Sequence, residues 1–363
     1  MANSAGITLL ICTHNGAARL PETLRYAAAQ QVPPGVGWEV LVVSNASTDD
    51  TLAAAPRLWG GLRAPVPLRV LNEPKPGKEN ALIQGFAAAA YPYVAIVDDD
   101  NWLAPDYIAQ AVATMEQHPE IGVLGANAEG AFEVVPPVWF KQFEAVYAVG
   151  TPAVPPGPLR QAGAYVAGAG SVVRLAGWQQ LLAAGFAFTT SAQRGAVLSG
   201  AEDLELGNAL RLAGYELWYN EHLRFRHYMY KERLNWAYLR RIGRSTASSG
   251  MASIVYYFLL REPSLTAAEF SQRYYRWLAW QAKELVRQPK NLLTYLFHRH
   301  DDTHPETFEV MRQLHRLRGA LTGHAEALRI FGIVKALQQR LLASPVAVGV
   351  GPAALPPRPT AYP

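Results

Sequence analysis

Short apolar blocks alternate with stretches of helical periodicity through the first 125 positions of the chain. The pattern predicts strands over residues 7–12, 39–43, 68–71, 93–97 and 121–125, with helices over 21–30, 47–55, 77–90 and 105–118 between them. Pro21 suits a first helical turn. The run Ser47-Thr48-Asp49-Asp50 offers a capping box for the second helix. Strands separated by helices imply a mostly parallel, twisted sheet with right-handed crossovers. The expected fold class is therefore α/β: a Rossmann-like, mostly parallel sheet flanked by helices, followed by a mainly helical C-terminal appendage.

Beyond residue 125 the alternation loosens. Residues 134–163 carry Pro136-Pro137 and Pro155-Pro156 and are expected to be a long surface excursion over the sheet's carboxyl edge. Helices are expected over 202–213, 234–255 and 267–285. Residues 344–363 are Pro, Gly and Ala with one charge, the composition of a disordered tail. The chain thus divides into a catalytic domain at 1–230, a helical region at 231–343 and the tail at 344–363. No internal repeat is present.

Composition changes this picture in three places. Half of the 363 residues are hydrophobic, enough for a large core. The longest apolar candidate for a membrane span, residues 251–260, is too short, and the first residues lack the basic segment of a signal peptide. The single cysteine, Cys12, excludes an intrachain disulfide and agrees with a cytoplasmic location. The net charge of +4 hides an asymmetry: residues 224–300 hold fourteen Lys and Arg against four Glu, with eight tyrosines and Trp236, Trp277 and Trp280. That region reads either as a helical appendage with a solvated basic rim, as a platform on the inner, anionic face of a membrane, or as a groove for an acidic sugar chain. Arg240, Arg241 and Arg244 are expected on one face of its first helix.

The chemistry concentrates where strands end. Residues 94–97 have the composition of a strand buried on both faces, and it terminates in Asp98, Asp99 and Asp100. Three adjacent carboxylates repel one another unless a cation sits among them, and a hard divalent ion carrying substrate phosphates is the natural one. A solvated acidic turn is the simpler alternative for such a run on its own. Three further groups fall at the same sheet edge by the alternation: Thr13-His14-Asn15, Ser44-Asn45-Ala46-Ser47 and Gly77-Lys78-Glu79-Asn80. They supply polar side chains for a base and ribose, with a lysine and helix amides for phosphate. Ser47 and Asp50 are accounted for by capping alone. Gly168-Ala169-Gly170 lacks the strand–turn–helix context of a dinucleotide fingerprint. Glu202 and Asp203 open a helix, and His227 follows a short strand at 215–219.

Together these motifs resemble the family 2 glycosyltransferases of the GT-A fold, over roughly residues 7–227. Ile-Cys-Thr-His-Asn is similar to the family's opening strand and turn, with His14 where Tyr is usual. The second motif has Ser44 and Asn45 in place of two acids. Pro-Gly-Lys-Glu-Asn resembles the third, and Val-Asp-Asp-Asp corresponds to the DXD element. The resemblance implies that Thr13, His14, Asn15, Asn45, Lys78, Asn80, Asp98, Asp99 and Gly170 bind a nucleotide sugar. Asp98 would face the ribose, and Asp100 with His227 would hold Mn²⁺ or Mg²⁺. Asp203 would be the catalytic base, with Glu202 orienting the acceptor or the base.

The implied reaction is inverting transfer of a sugar from a nucleoside diphosphate, uridine expected, to a hydroxyl of a glycan or lipid-linked acceptor in polysaccharide biosynthesis. Trp102 is expected as an apolar wall for the acceptor sugar. The rival readings are a nucleotidyltransferase, which lacks its usual glycine-rich basic loop here, a non-catalytic nucleotide-sugar binder, and a basic nucleic-acid-binding protein. The last leaves the acidic motifs unexplained, so no nucleic-acid partner is expected.

Overall fold

The apolar run that opens the chain becomes β1 (Gly6–Thr13), whose eight residues are all buried. α1 (Leu20–Ala28), with Pro21 in its first turn, leads to β2 (Gly37–Asn45) and α2 (Thr51–Gly61). β3 (Leu68–Glu73), α3 (Lys78–Ala88) and β4 (Tyr93–Asp98) complete the alternation. This computed structural model describes residues 5–152, 154–161, 163–189, 201–248 and 250–343. The tail expected at 344–363 lies outside the described residues.

Next come β5 (Asn101–Leu103), α4 (Tyr107–Gln117), β6 (Ile121–Phe132), α5 (Phe140–Phe143), β7 (Gly157–Pro158), β8 (Ser171–Arg174) and α6 (Leu175–Ala183). α7 (Glu202–Leu212) precedes β9 (Glu216–Met229), a strand of 14 residues. Six helices follow: α8 (Trp236–Ser248), α9 (Gly250–Arg261), α10 (Ala267–Val286), α11 (Pro289–His298), α12 (Thr307–Thr322) and α13 (His324–Ala343).

The nine strands form one sheet in the order β3-β2-β1-β4-β8-β6-β9-β5, with β7 also against β9. β1 to β4 pair in parallel, as do β6 and β9, whereas β8 runs antiparallel between β4 and β6. The α/β class expected from the sequence is therefore the one observed. Successive residues of β1 feed opposite faces: Leu10 and Cys12 join a cluster with Phe86 and Trp178, whereas Leu9 and Ile11 join one with Leu24 and Ile108. The first cluster continues without interruption into Val255, Phe270, Val334 and Leu341 of the C-terminal helices.

Three local expectations are corrected. No capping box forms at residues 47–50: α2 starts at Thr51 with no side-chain cap, and Ser47 instead accepts the amide of Asn15 at 3.0 Å. The reciprocal capping pair stands at Thr266 and Glu269, opening α10. The excursion at 134–163 is not a surface loop throughout, because Trp139, Phe140, Phe143 and Tyr147 are buried against Trp236 and Phe308. Those aromatics bury more apolar area than the neighbouring prolines can keep in solvent. The helix expected over 234–255 is observed as α8 and α9, helical on both sides of residue 249, which lies outside the described residues. The basic face of α8 is broken as well: Arg240 is 8% exposed and bonds His300 Nδ1 at 2.7 Å, whereas Arg241 lies over the Tyr238 ring.

Candidate active site at the carboxyl edge of the sheet

Strand register builds the site. Cys12 lies beside Val43 on one side and Asp98 on the other, so Thr13, Ser44 and Asp98 end level with one another. Ligand crevices of open α/β sheets form at this edge. The loops after β1 and β2 are tied together by Asn15, held at φ 49°, whose side-chain oxygen accepts the Thr48 amide at 2.7 Å. Asn45 does the same for the next loop: its amide nitrogen donates to Lys75 O at 2.7 Å and its oxygen accepts Gly77 N–H at 2.9 Å. Both side chains, expected as nucleotide contacts, are thus committed to shaping the loops. Asn80 donates to Pro76 O at 3.0 Å, and His14, exposed, pairs through Nδ1 with Asn45 O at 2.8 Å.

The three aspartates part company. Asp98 accepts Lys78 Nζ at 2.6 Å. Burial works against the Lys78 charge, but Asp98 and Glu202 outweigh it and raise its pKa, so the ammonium is permanent. Asp99 turns back into the protein: Arg19 grips it from two nitrogens at 2.8 and 2.7 Å, Thr13 donates to it, and its backbone oxygen accepts Thr23. Burial raises its pKa against the pull of Arg19. Asp100 is 3% exposed and meets His227 Nε2 at 3.3 Å and Arg233 Nη1 at 2.8 Å. Burial alone would raise its pKa, yet the His227 hydrogen bond and the charges of His227, Arg233 and Lys78 hold it down at about 2.

His227 reaches Asp100 because β9 pairs antiparallel with β5, placing Asn101 opposite His227. Asn101, fully buried, accepts Asp98 N–H at 3.0 Å and donates to Asp100 at 3.2 Å, fixing the turn between the carboxylates. The Asp100–His227 separation fits two neighbouring ligands of one divalent ion, since octahedral bonds of about 2.1 Å place adjacent ligand atoms about 3 Å apart. His227 Nδ1 is buried without a hydrogen-bond partner among the described residues, so no second group fixes its tautomer.

Asp203 arrives from α7. Its Oδ2 accepts the Gly168 amide at 2.9 Å and its Oδ1 the Leu204 amide at 2.7 Å, leaving each oxygen a further lone pair. Gly168 stands just before β8, which pairs with β4, so the bond ties Asp203 to the strand end bearing Asp98. Burial raises the Asp203 pKa against those two amides, and burial likewise pushes Glu202 up to about 7 against the pull of Lys78. A cavity of about 610 Å³ opens on Asp203, lined also by Tyr165, Trp277 and Arg312.

Two expected contacts lie elsewhere. Trp102 stacks on Tyr26 and Tyr228 and is absent from the cavity lining, so it is not brought to the group. Gly170, at φ 65°, makes its close approach to the Phe225 ring rather than to open space. Arg19, Asn101 and Arg233 were missed in the sequence. Arg19 meets Asp99 80 residues along the chain, and Arg233 meets Asp100 from beyond β9, so nothing in local spacing signals either pairing.

Residues 8–155 match the family described as Glycosyl transferase family 2. That stretch of the chain is thus similar to family 2 glycosyltransferases, and it holds Lys78 and all three aspartates. An uncharacterized glycosyltransferase of Mycobacterium tuberculosis is 31% identical over 121 residues, 33% of this chain and 48% of the relative. The match thus spans about half the length of that relative. Poly(ribitol-phosphate) beta-N-acetylglucosaminyltransferase TarS of Staphylococcus aureus is 27% identical over 139 residues, 37% of this chain and 23% of the relative. A mannosyltransferase of Pyrobaculum calidifontis, solved with GDP-Man and Mn²⁺, superposes with a TM-score of 0.53 at 19% identity, covering 88% of this chain and 86% of that one. The sheet and its helical extension therefore share a GT-A fold with that structure.

Proposed function

We propose that the protein transfers a sugar, with inversion, from a nucleoside diphosphate to an acceptor hydroxyl, with Asp203 as general base. The observation that carries this is the convergence of Lys78–Asp98, Asp100–His227 and Asp203–Gly168 on one sheet edge, of which Lys78, Asp98 and Asp100 fall within the stretch that matches family 2. The nucleotide sits along Thr13, Lys78 and Asp98, and Lys78 faces the diphosphate. Asp100 and His227 would hold Mn²⁺ or Mg²⁺. Such an ion neutralises charge on the departing diphosphate.

An acceptor hydroxyl beside Asp203 gives its proton to the carboxylate as its oxygen bonds the anomeric carbon. The bond from that carbon to the diphosphate breaks, and its electron pair leaves with the diphosphate. The raised pKa of Asp203 brings the base nearer neutral pH, where proton transfer is more effective. Glu202, at about 7, is protonated in part of the population and orients the acceptor as a hydrogen-bond donor.

Calorimetric titration of UDP and GDP, with Mn²⁺, with Mg²⁺ and with EDTA, tests the donor site. Metal-dependent binding of one nucleotide that Asp100→Ala removes is the expected result, and UDP is the expected nucleotide. Turnover of the matching nucleotide sugar should fall roughly 10²- to 10⁴-fold in Asp203→Asn. Absence of binding by either nucleotide overturns the reading.

The expected contact with an anionic membrane now rests on α11 rather than α8. Leu293, Leu296 and Phe297 share one helical face and are 57%, 57% and 79% exposed, with Val286 at 73%. Lys283, Arg287 and Lys290 flank them, all exposed. Among the described residues no helix is long and apolar enough to cross a membrane, and this face suits shallow interfacial contact. Flotation with phosphatidylglycerol vesicles, lost in Leu296→Ser/Phe297→Ser, is the expected outcome; equal recovery with phosphatidylcholine alone contradicts it.

A further inference from the structure

The cavity on Asp203 contains none of Thr13, Lys78, Asp98 or Asp100, so it is separate from the group assigned to the nucleotide. Its walls come largely from the basic, aromatic helices that the nucleotide site leaves unexplained. Val146, Ile254, Phe258 and Trp277 form apolar surface contributed by three separate parts of the chain, and Arg312 and Arg316 of α12 add two guanidinium groups. The arginines are four residues apart on one helix and present to the same side. Arg312 Nη1 bonds Glu309 at 3.2 Å, but its Nε is buried with no hydrogen-bond partner among the described residues.

The cavity is thus bipolar. Asp203 offers lone pairs for a hydroxyl at one place, two guanidinium groups invite negative charge at another, and aromatic and aliphatic side chains separate them. At about 610 Å³ it lies within the range of small-molecule sites. A neutral sugar would make no use of the guanidinium groups of Arg312 and Arg316 in the wall, and a plain anion would leave the apolar walls wet.

We propose that this cavity is the acceptor subsite and that its ligand is an alcohol with an apolar body and one anionic group, a carboxylate or a phosphate. The assignment as an acceptor site rests on Asp203 being the base. The hydroxyl faces Asp203, the apolar body lies along Trp277, Phe258 and Ile254, and the anion is held between Arg312 and Arg316. Guanidinium groups take carboxylates and phosphates in paired hydrogen bonds, which gives orientation as well as affinity.

Binding tests this without knowledge of the donor. 4-Nitrophenyl β-D-glucuronide, 4-nitrophenyl β-D-glucoside and phenyl phosphate are titrated into the full chain by calorimetry. The glucuronide or phenyl phosphate should bind, and whichever is tighter identifies the anion. The neutral glucoside should bind at least about tenfold more weakly, the usual scale of one charged hydrogen bond. Arg312→Gln should erase that preference, and Trp277→Ala should weaken all three probes. Equal binding of glucuronide and glucoside with no binding of phenyl phosphate, survival of the preference in Arg312→Gln, or no binding of any probe overturns the proposal. UDP with Mn²⁺ is titrated into the same samples. If UDP binds and the probes do not discriminate, the donor reading stands and the acceptor proposal falls. If the probes discriminate and neither UDP nor GDP binds, the donor reading falls and the cavity remains an anion-recognising site.

Discussion

Arg233 donates to Asp100 at 2.8 Å, so one oxygen of the carboxylate proposed to hold a metal already carries a protein cation. His227 approaches the other oxygen at 3.3 Å. Arg233→Ala leaves a buried carboxylate with His227 as its remaining ionic partner. The metal-free protein should lose about 2 kcal/mol, less than for a fully buried pair because Arg233 is 30% exposed. Mn²⁺ should then raise the melting midpoint of the variant more than that of the parent, since the ion restores the missing charge. An equal loss with and without Mn²⁺ would place the ion elsewhere.

The middle aspartate should behave unlike its neighbours. Asp99 is consumed by Arg19 and Thr13, so Asp99→Asn is expected to cost about 1–2 kcal/mol of stability while nucleotide affinity stays within about twofold. Asp98→Asn should show the reverse, a small change in melting midpoint and a large loss of nucleotide binding, whereas Asp100→Asn should lose both, because it strips the buried partner from Arg233 and His227. Calorimetry beside thermal melts separates the three patterns.

Glu202 sets a pH dependence. Burial raises it from 4.5 to about 7, with Lys78 opposing and Asp203 reinforcing the shift. Between those two values the folded protein keeps a proton that the unfolded chain has released. Stability therefore falls as pH rises through that window and is level above it. Glu202→Gln should match the parent near pH 4.5 and exceed it above pH 7, by at most about 3 kcal/mol. Denaturant unfolding of EDTA-treated protein across pH gives the difference directly, and a gap that does not change with pH refutes the cause.

Gly170→Ala tests whether that glycine serves packing or substrate. Its φ of 65° disfavours a side chain, and a Cβ there would stand 2.4 Å from the Phe225 ring. Ring displacement and backbone strain should together cost about 2–4 kcal/mol. A variant of normal stability with weakened donor binding would instead restore the donor-contact role.

The repeating part of the fold was readable because β1 to β4 are short apolar blocks between helices, and their ends carry the polar motifs. β8 was not: Ser171–Arg174 is four residues long, and its pairing with β4 depends on a partner some 75 positions away. β9 was read as a short strand because its second half, Asn-Glu-His-Leu-Arg-Phe-Arg-His, alternates charge with apolar residues and so lacks the solid apolar run of its first relatives. Part of the grouping was legible, since Lys78 pairs with Asp98, Asp100 pairs with His227, and the Lys78 charge acts on Asp203. Their division of labour was not. Asn15 and Asn45 look like ligand-binding side chains in sequence, and only the loops they bridge reveal that backbone groups use them up.

The apolar cluster beneath Lys78 runs unbroken from Leu10 and Phe86 to Phe270 and Leu341. The helices that line the cavity on Asp203 therefore share one core with the strands whose ends carry Lys78 and Asp98. Exchange of this C-terminal half for that of a relative would replace buried partners of the sheet along with the cavity wall. Changes to that wall are borne more readily by point substitutions than by recombination of whole halves.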